Sequence, residues 1–183
     1  MSAKPLFQFP GQGSQAVGMG VNLAENFAEA RAVFAEVNDA LSEDLFTMMK
    51  DGPEDDLRLT RNAQPALFAS SMAALAVLHT ATGKNVADLA GCVAGHSLGE
   101  YSALAAAGTL SITDAARLLR QRGDSMQGAV PPGEGAMAAI LNAEESQIDE
   151  IIAEASAAGT IQLANDNAPC LLYTSDAADD TPC

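Results

Sequence analysis

A serine lies between two glycines in the stretch Gly95-His96-Ser97-Leu98-Gly99. A short apolar run precedes it and an alanine-rich segment follows, which predicts a tight turn from a strand into a helix. In such a turn, side chains two residues before and two residues after the serine would collide, so glycine suits both positions. The serine oxygen then projects from the turn, as in a nucleophile elbow. Ser97 is therefore a candidate nucleophile.

A helix cap is the alternative interpretation of Ser97. The sequence Ser-Leu-Gly-Glu at 97–100 fits a capping box, in which Ser97 is the N-cap and Glu100 reaches back to it. This interpretation does not explain glycine on both sides, since glycine inside a first helical turn costs about 0.5–1 kcal/mol relative to alanine. The pattern favours the nucleophile, but these residues alone do not decide between the two.

A second glycine-rich loop, residues 11–15, follows a short predicted strand. With Ala16 it fits the dinucleotide-binding pattern G-x-G-x-x-A. That pattern needs a helix that begins inside the loop, and Gly18 and Gly20 disfavour one. The loop could instead supply an oxyanion donor, because acyl transfer through a serine needs two, and the N–H of Leu98 would be the other.

The two stretches together resemble the signatures of malonyl-CoA:acyl carrier protein transacylases and of the related polyketide acyltransferase domains. They read Phe-Pro-Gly-Gln-Gly-Ser-Gln at 9–15 and Gly-His-Ser-Leu-Gly-Glu-Tyr at 95–101. Further matches follow in the same order at 60–67, 121–127 and 135–140. The resemblance runs from about Phe7 to Pro169.

The resemblance implies a role for each matching residue. Ser97 would attack the thioester of malonyl-CoA and then pass the malonyl group to the phosphopantetheine thiol of acyl carrier protein. Gln12 and the Leu98 amide would hold the oxyanion. Arg122 matches the family's arginine for the malonyl carboxylate, which a planar guanidinium can grip with two hydrogen bonds. His96 would line the acyl pocket.

Without the family, Arg122 would be interpreted as a solvated charge beside Arg117 and Arg120. The general base is a separate question, since His79 and His96 are the two histidines of the chain. His96 is unsuited because neighbours at an elbow point apart, and His79 lies in an apolar helix as a core or edge residue. The family's catalytic histidine lies further downstream, so we expect the 183-residue chain to turn over malonyl-CoA poorly.

The fold class expected is α/β. Residues 1–130 would form an α/β-hydrolase-like core with a parallel sheet and the elbow. Residues 131–169 would begin a ferredoxin-like α+β small subdomain, incomplete here, after a turn at 131–133. Apolar periodicity predicts helices over 27–41, 64–80 and from 113 onward, and a β-α-β unit over 136–164.

Residues 170–183 depart from this pattern, with no sustained period of a helix or strand. They resemble a translated sequencing adapter, and we interpret them as a non-native tail. The alternative is a short, acidic, solvated tail.

Composition restricts the partners. The chain is 48% apolar and carries 24 acidic against 9 basic residues, for a net charge of −15. This balance disfavours nucleic acid and anionic membranes. The longest apolar run, 66–78, is too short to span a bilayer, so we expect a cytoplasmic protein. We also expect a monomer. The three cysteines show no zinc or disulfide spacing, and Cys92 is expected to be buried. No cofactor or metal is expected, only the substrate malonyl-CoA.

Two other function classes share part of this pattern. A serine esterase or lipase would also carry residues 95–99, but it would release free acid and would not need the Gln12 loop or Arg122. A non-catalytic module that binds acyl carrier protein would need a basic patch, since such carriers are acidic. The first strand begins a few residues after Met1, which favours a discrete enzyme of fatty-acid biosynthesis over a megasynthase domain.

Overall fold

The computed structural model describes residues 4–129, 137–141, 143–168 and 171–175. The chain divides into two compact units, residues 1–125 and 126–183, and each is treated by itself. The elements up to residue 129 are β1 Leu6–Phe9, α1 Val21–Asn26, α2 Ala28–Leu41, α3 Leu45–Asp51, α4 Glu54–Arg58, α5 Thr60–Thr82, α6 Val86–Leu89, β2 Cys92–Gly95, α7 Gly99–Ala106 and α8 Ile112–Ala129. Those that follow are β3 Met137–Leu141, α9 Glu145–Ala155, β4 Leu163–Ala168 and β5 Leu171–Ser175.

Strands β1 and β2 pair in parallel, with Phe9 opposite Gly95. Their carboxyl ends therefore meet at one edge of the sheet, where the loop after β1 and the turn after β2 both begin. A hydrogen bond from the His96 N–H to the Phe9 carbonyl, 3.4 Å, continues the pairing into the turn. The predicted parallel arrangement is confirmed for these two strands.

One face of this sheet is exposed. Phe7, Phe9 and Val93 point toward the hydrophobic core, whereas Leu6 and Cys92 on the opposite face are exposed. The prediction of a buried Cys92 was therefore wrong. Parallel sheets are commonly covered on both faces, and a cysteine in such a strand would be buried. In the described part of this chain, helices cover only the face that Cys92 does not share.

Helix α5 forms the centre of the first unit. Its buried residues are Asn62, Ala63, Gln64, Pro65, Ala66, Leu67, Phe68, Ala69, Met72 and Ala73. Helix α2 packs against it through Ala30, Val33, Phe34 and Val37, as the apolar spacing predicted. Helix α5 begins at Thr60 and not near Gln64, so Pro65 lies inside the helix and not in its first turn.

Helix α5 spans 23 residues, Thr60–Thr82, and is the one helix among the described residues that is long and apolar enough to cross a membrane. Its first half is buried inside the fold and includes the polar residues Asn62 and Gln64, as is typical of a core helix.

The second unit contains a three-stranded sheet in the order β3-β5-β4. Strand β5 pairs antiparallel with both neighbours, and α9 connects the two outer strands. The predicted strand–helix–strand order is confirmed, although β4 begins at Leu163 and not at Ile161. Helix α9 starts with a capping box between Glu144 and Gln147 and buries Ile148.

Strand β5, Leu171–Ser175, falls in the stretch for which no regular structure was expected. Its residues Leu-Leu-Tyr-Thr have high strand propensity, which a search for period 2 or 3.6 over a longer window does not register. Residues 131–133, Cys170 and residues 176–183 lie outside the described residues. The interpretation of 170–183 as a non-native tail stays a prediction.

Gly123 lets two helices approach closely. A Cβ at this position of α8 would lie 2.5 Å from the Arg61 Cα and 2.9 Å from the Thr60 carbonyl oxygen, at the start of α5. We expect Gly123→Ala to destabilise the protein by about 1–3 kcal/mol, because neither backbone can yield.

Gly128→Ala is the matched control in the same helix, because a Cβ at that position would have no atom within 4 Å. It should be neutral or stabilising by up to about 1 kcal/mol. Urea unfolding followed by circular dichroism measures both, and equal effects would contradict this packing.

Candidate active site

The turn between β2 and α7 has the backbone geometry of a nucleophile elbow. Ser97 lies in the left-handed region at φ 54°, which non-glycine residues seldom adopt. A Cβ at Gly95 would lie 1.9 Å from the Gly99 carbonyl oxygen, and a Cβ at Gly99 would lie 2.5 Å from the Phe9 carbonyl oxygen. Both glycines are therefore required by sterics, as predicted from their spacing.

The helix-cap interpretation of Ser97 is wrong. Helix α7 begins at Gly99 after Leu98, and no side chain caps its first turn. The turn is held by backbone hydrogen bonds from Gly99 to the His96 carbonyl, 2.8 Å, and from Glu100 to the Ser97 carbonyl, 3.2 Å. The Ser97 hydroxyl is thus left for other partners.

That hydroxyl contacts Arg122. The Arg122 Nη2 donates a hydrogen bond to Ser97 Oγ at 3.0 Å, and its Nη1 donates to Gln64 Oε1 at 2.6 Å. Gln64 is fully buried in α5, whereas Arg122 is half-buried in α8. The guanidinium is therefore oriented by the core of the protein, and its interpretation as a solvated surface charge is wrong.

The loop after β1 lies beside the elbow. Gly11 approaches His96 so closely that a Cβ there would lie 2.9 Å from the His96 Nδ1. The Gln12 Nε2 donates to Thr60 Oγ1 at 3.2 Å. The side-chain amide of Gln12 is therefore occupied by Thr60, and its main-chain N–H donates no hydrogen bond to any described residue.

The main-chain N–H of Leu98 is available in the same way. Leu98 follows Ser97 directly, its side chain is buried, and its N–H forms no hydrogen bond with any described residue. Two main-chain donors, at Gln12 and Leu98, therefore belong to the two loops at one edge of the sheet. A serine at the elbow and two main-chain donors on the adjoining loops are the groups that an oxyanion site would need.

The dinucleotide alternative finds no support in the loop geometry. Helix α1 begins at Val21, after Gly18 and Gly20, both of which have positive φ values of 93° and 77°. No helix N-terminus lies inside residues 11–16 to receive a pyrophosphate.

Among the described residues, no cluster of three or more His, Cys, Asp or Glu side chains could hold a metal.

The structure separates the two histidines. His96 lies at the site beside Gly11, whereas His79 is exposed near the end of α5, where its Nδ1 lies 3.1 Å from the Lys84 carbonyl oxygen.

Thr60 and Gln64 contact predicted site residues, although no role was predicted for either from the sequence. The signal for Gln64 was an amide in an otherwise apolar segment, which is seldom buried without a partner.

Comparison with known proteins identifies the class. A family model described as the acyl transferase domain matches residues 6–163. The chain belongs to this family. It is 43% identical over 177 residues to the malonyl CoA-acyl carrier protein transacylase of Bacillus subtilis strain 168, covering 96% of this chain and 54% of the relative. The enzyme of the same name from Escherichia coli K12 is 43% identical over 163 residues, covering 89% and 52%.

Solved structures agree. An acyl-carrier-protein-S-malonyltransferase from Bartonella henselae superposes with a TM-score of 0.87 at 52% identity, over 95% of this chain and 55% of that chain. A complex of a type II polyketide-synthase acyl carrier protein with its malonyl-transacylase has a TM-score of 0.84 at 39% identity, over 94% and 55%. The chain thus spans about half the length of the relatives that it matches.

The strained backbone of Ser97 leads to a stability prediction. Glycine removes the left-handed penalty that serine and alanine both carry, so Ser97→Gly should be more stable than Ser97→Ala by about 1 kcal/mol. Ser42, at φ 53° after α2, has the same conformation outside the site. Ser42→Gly and Ser42→Ala therefore form the matched control pair, with the same expected difference. Thermal unfolding of the four variants measures it, and a Ser97→Gly variant no more stable than Ser97→Ala would contradict the elbow geometry.

Proposed function

We propose that this protein transfers a malonyl group from malonyl-CoA to the phosphopantetheine thiol of acyl carrier protein. The observation that carries the proposal is the contact between Arg122 Nη2 and Ser97 Oγ at 3.0 Å. It places a permanent cation beside the nucleophile, where an acyl group that ends in a carboxylate would need it. The names of the relatives support the same substrate and carrier.

The reaction has two acyl-transfer steps. Ser97 Oγ attacks the thioester carbon, the C–S bond breaks, and coenzyme A leaves as its thiol. The carrier's thiol then attacks the malonyl-serine ester, and the serine oxygen leaves. The proton on Ser97 Oγ must pass to a base and from it to the sulfur of the departing coenzyme A. In the second step the base takes the proton of the carrier's thiol and gives it to the departing serine oxygen. Arg122 cannot accept a proton, and the resemblance assigns this task to a histidine on a segment that follows the small subdomain.

The two main-chain donors at Gln12 and Leu98 would stabilise the tetrahedral oxyanion of both steps. Thr60 supports this arrangement, because its hydroxyl accepts the hydrogen bond from the Gln12 side chain and so holds the loop. His96, beside Gly11, would form a wall of the acyl pocket.

Arg122 would bind the malonyl carboxylate. Gln64 accepts the hydrogen bond from Nη1, which fixes the plane of the guanidinium. The Nη2 group, directed at Ser97 in this structure, would turn its donors to the carboxylate when the substrate enters. A charge-assisted pair of hydrogen bonds of this kind discriminates malonyl from acetyl.

The finer features of the architecture belong to this proposal. Residues 1–130 would be part of an α/β-hydrolase-like core, supported by the parallel strands and the elbow. Residues 131–169 would begin a ferredoxin-like subdomain, supported by the order β3-β5-β4. The enzyme would act in fatty-acid biosynthesis in the cytoplasm, as a monomer and without a cofactor.

A direct test is formation of malonyl-serine. Incubation of the 183-residue chain with labelled malonyl-CoA should label the protein slowly, at the poor rate expected without the downstream histidine, and Ser97→Ala should remove the label entirely because no other oxygen occupies the elbow. Ser125→Ala, an exposed serine in α8, is the control and should label like the wild type. Label retained by Ser97→Ala would contradict the assignment. Steady release of free malonate without a carrier thiol would favour an esterase.

Substrate selectivity tests Arg122. Arg122→Ala should slow malonyl loading about 10²-fold while acetyl loading changes only a few-fold, because only malonyl presents a carboxylate to the missing charge. Arg117→Ala is the control in the same helix, since its side chain is exposed and donates to the Ala40 carbonyl. Rapid-quench loading with each thioester measures both rates. Equal losses on malonyl and acetyl would contradict the carboxylate role.

A further inference from the structure

Arg120 is a buried arginine that the proposed reaction does not use. Only 9% of its surface is exposed. Its Nη1 donates to the Arg61 carbonyl at 2.8 Å and to Asn62 Oδ1 at 2.6 Å, and its Nη2 donates to Glu43 Oε2 at 2.6 Å. One side chain of α8 is thus bound to the start of α5 and to the segment between α2 and α3.

Pro65 creates one of these acceptors. In an α-helix the N–H of residue 65 would donate to the carbonyl of residue 61. Proline has no N–H, so the Arg61 carbonyl in α5 has no helical donor. Arg120 supplies the donor from α8 in its place. Pro65 and Arg120 therefore form a matched pair that joins the two helices.

Arg120 and Arg122 lie on opposite sides of one close contact. Residues of an α-helix are spaced by about 100°, which places Gly123 between them on the face of α8. Gly123 meets the backbone of α5 at Arg61, as its Cβ distance of 2.5 Å shows. Arg120 reaches Arg61 on one side of that contact, and Arg122 reaches Gln64 on the other.

Stability alone does not explain an arginine at this position. Burial lowers the pKa of Arg120, an effect that Glu43 opposes, and no described residue accepts a hydrogen bond from its Nε. Replacement of a buried ionic group by apolar residues is often neutral or stabilising, and in some proteins such groups define one particular packing arrangement instead. The network of Arg120 defines how α8 lies on α5.

We infer that Arg120 is a positioning residue that fixes α8 on α5 so that Arg122 faces the carboxylate of the acyl substrate. This inference rests on the proposed function. Lysine at 120 keeps the charge but cannot reach three acceptors from a planar fork. The helix would then shift on its Gly123 contact, and Arg122 would lose its alignment with Gln64 and with the substrate. Displacements of about 1 Å can cost 10²-fold in a reaction that depends on alignment.

The test is the affinity of the chain for malonyl-CoA relative to acetyl-CoA, by titration calorimetry in a Ser97→Ala background, where no acyl transfer occurs. We expect Arg120→Lys to lower the malonyl preference about tenfold. Arg117→Lys, the exposed control in the same helix, should leave it unchanged. In a chain that also carries Arg122→Ala, Arg120→Lys should have no further effect on the preference, because the residue through which it acts is absent.

A purely structural role gives a different result. If Arg120→Lys weakens both thioesters equally, or reduces only thermal stability, the positioning role is overturned. Should Arg120→Lys fail to fold, Glu43→Gln perturbs the same network from an exposed carboxylate and should lower the preference by a few-fold. A Ser97→Ala chain with Arg120 intact that shows no preference for malonyl-CoA would overturn the proposed function itself, whereas a preference that Arg120→Lys leaves intact would overturn only this inference.

Discussion

The close backbone contact between Gly99 and the end of β1 is the constraint on which the site depends. A Cβ at Gly99 would lie 2.5 Å from the Phe9 carbonyl oxygen and 2.8 Å from the Pro10 carbonyl oxygen. The first turn of α7 can therefore lie directly against the strand that leads into the Gln12 loop. This contact, together with the parallel pairing of β1 and β2, places Ser97 beside the loop proposed to hold the oxyanion. Any side chain at Gly99 would separate them.

The first turns of α5 form the second part of the arrangement. Thr60 binds the side chain of Gln12, Gln64 binds Arg122, and the Arg61 carbonyl between them binds Arg120. One short segment of a buried helix thus contacts the loop proposed to hold the oxyanion, the arginine proposed to bind the carboxylate and the helix that carries this arginine. The geometry of the proposed site is set by the core and not by surface loops, which suits a reaction that depends on alignment.

The sequence predicted features that depend on local sterics or on simple periodicity. The glycines at 95 and 99 indicated the elbow because only a tight turn requires both, and the apolar spacing of α2 indicated its buried face. Features that depend on distant partners were missed. No buried role was predicted for Arg120 because its acceptors lie 58 or more residues away in the chain. Cys92 was expected to be buried because strand residues do not show which face is covered.

The interior position of Pro65 shows the same limit. Proline near an apolar run predicts a helix start, and nothing local reveals that a side chain of α8 replaces the missing hydrogen bond. The family resemblance named Ser97, Gln12, Leu98, Arg122 and His96, and the structure places all five in the first unit around the elbow. The family resemblance gave no role to Thr60, Gln64 or Arg120, whose contacts are visible only in the folded structure.

The most direct measurement is a crystal structure of the Ser97→Ala chain with malonyl-CoA bound. We expect Arg122 to bind the malonyl carboxylate while Nη1 stays on Gln64. We also expect the thioester oxygen to lie about 2.7–3.1 Å from the main-chain nitrogens of Gln12 and Leu98. A malonyl group whose carboxylate points away from Arg122, or whose thioester lies outside the two loops, would contradict this expectation.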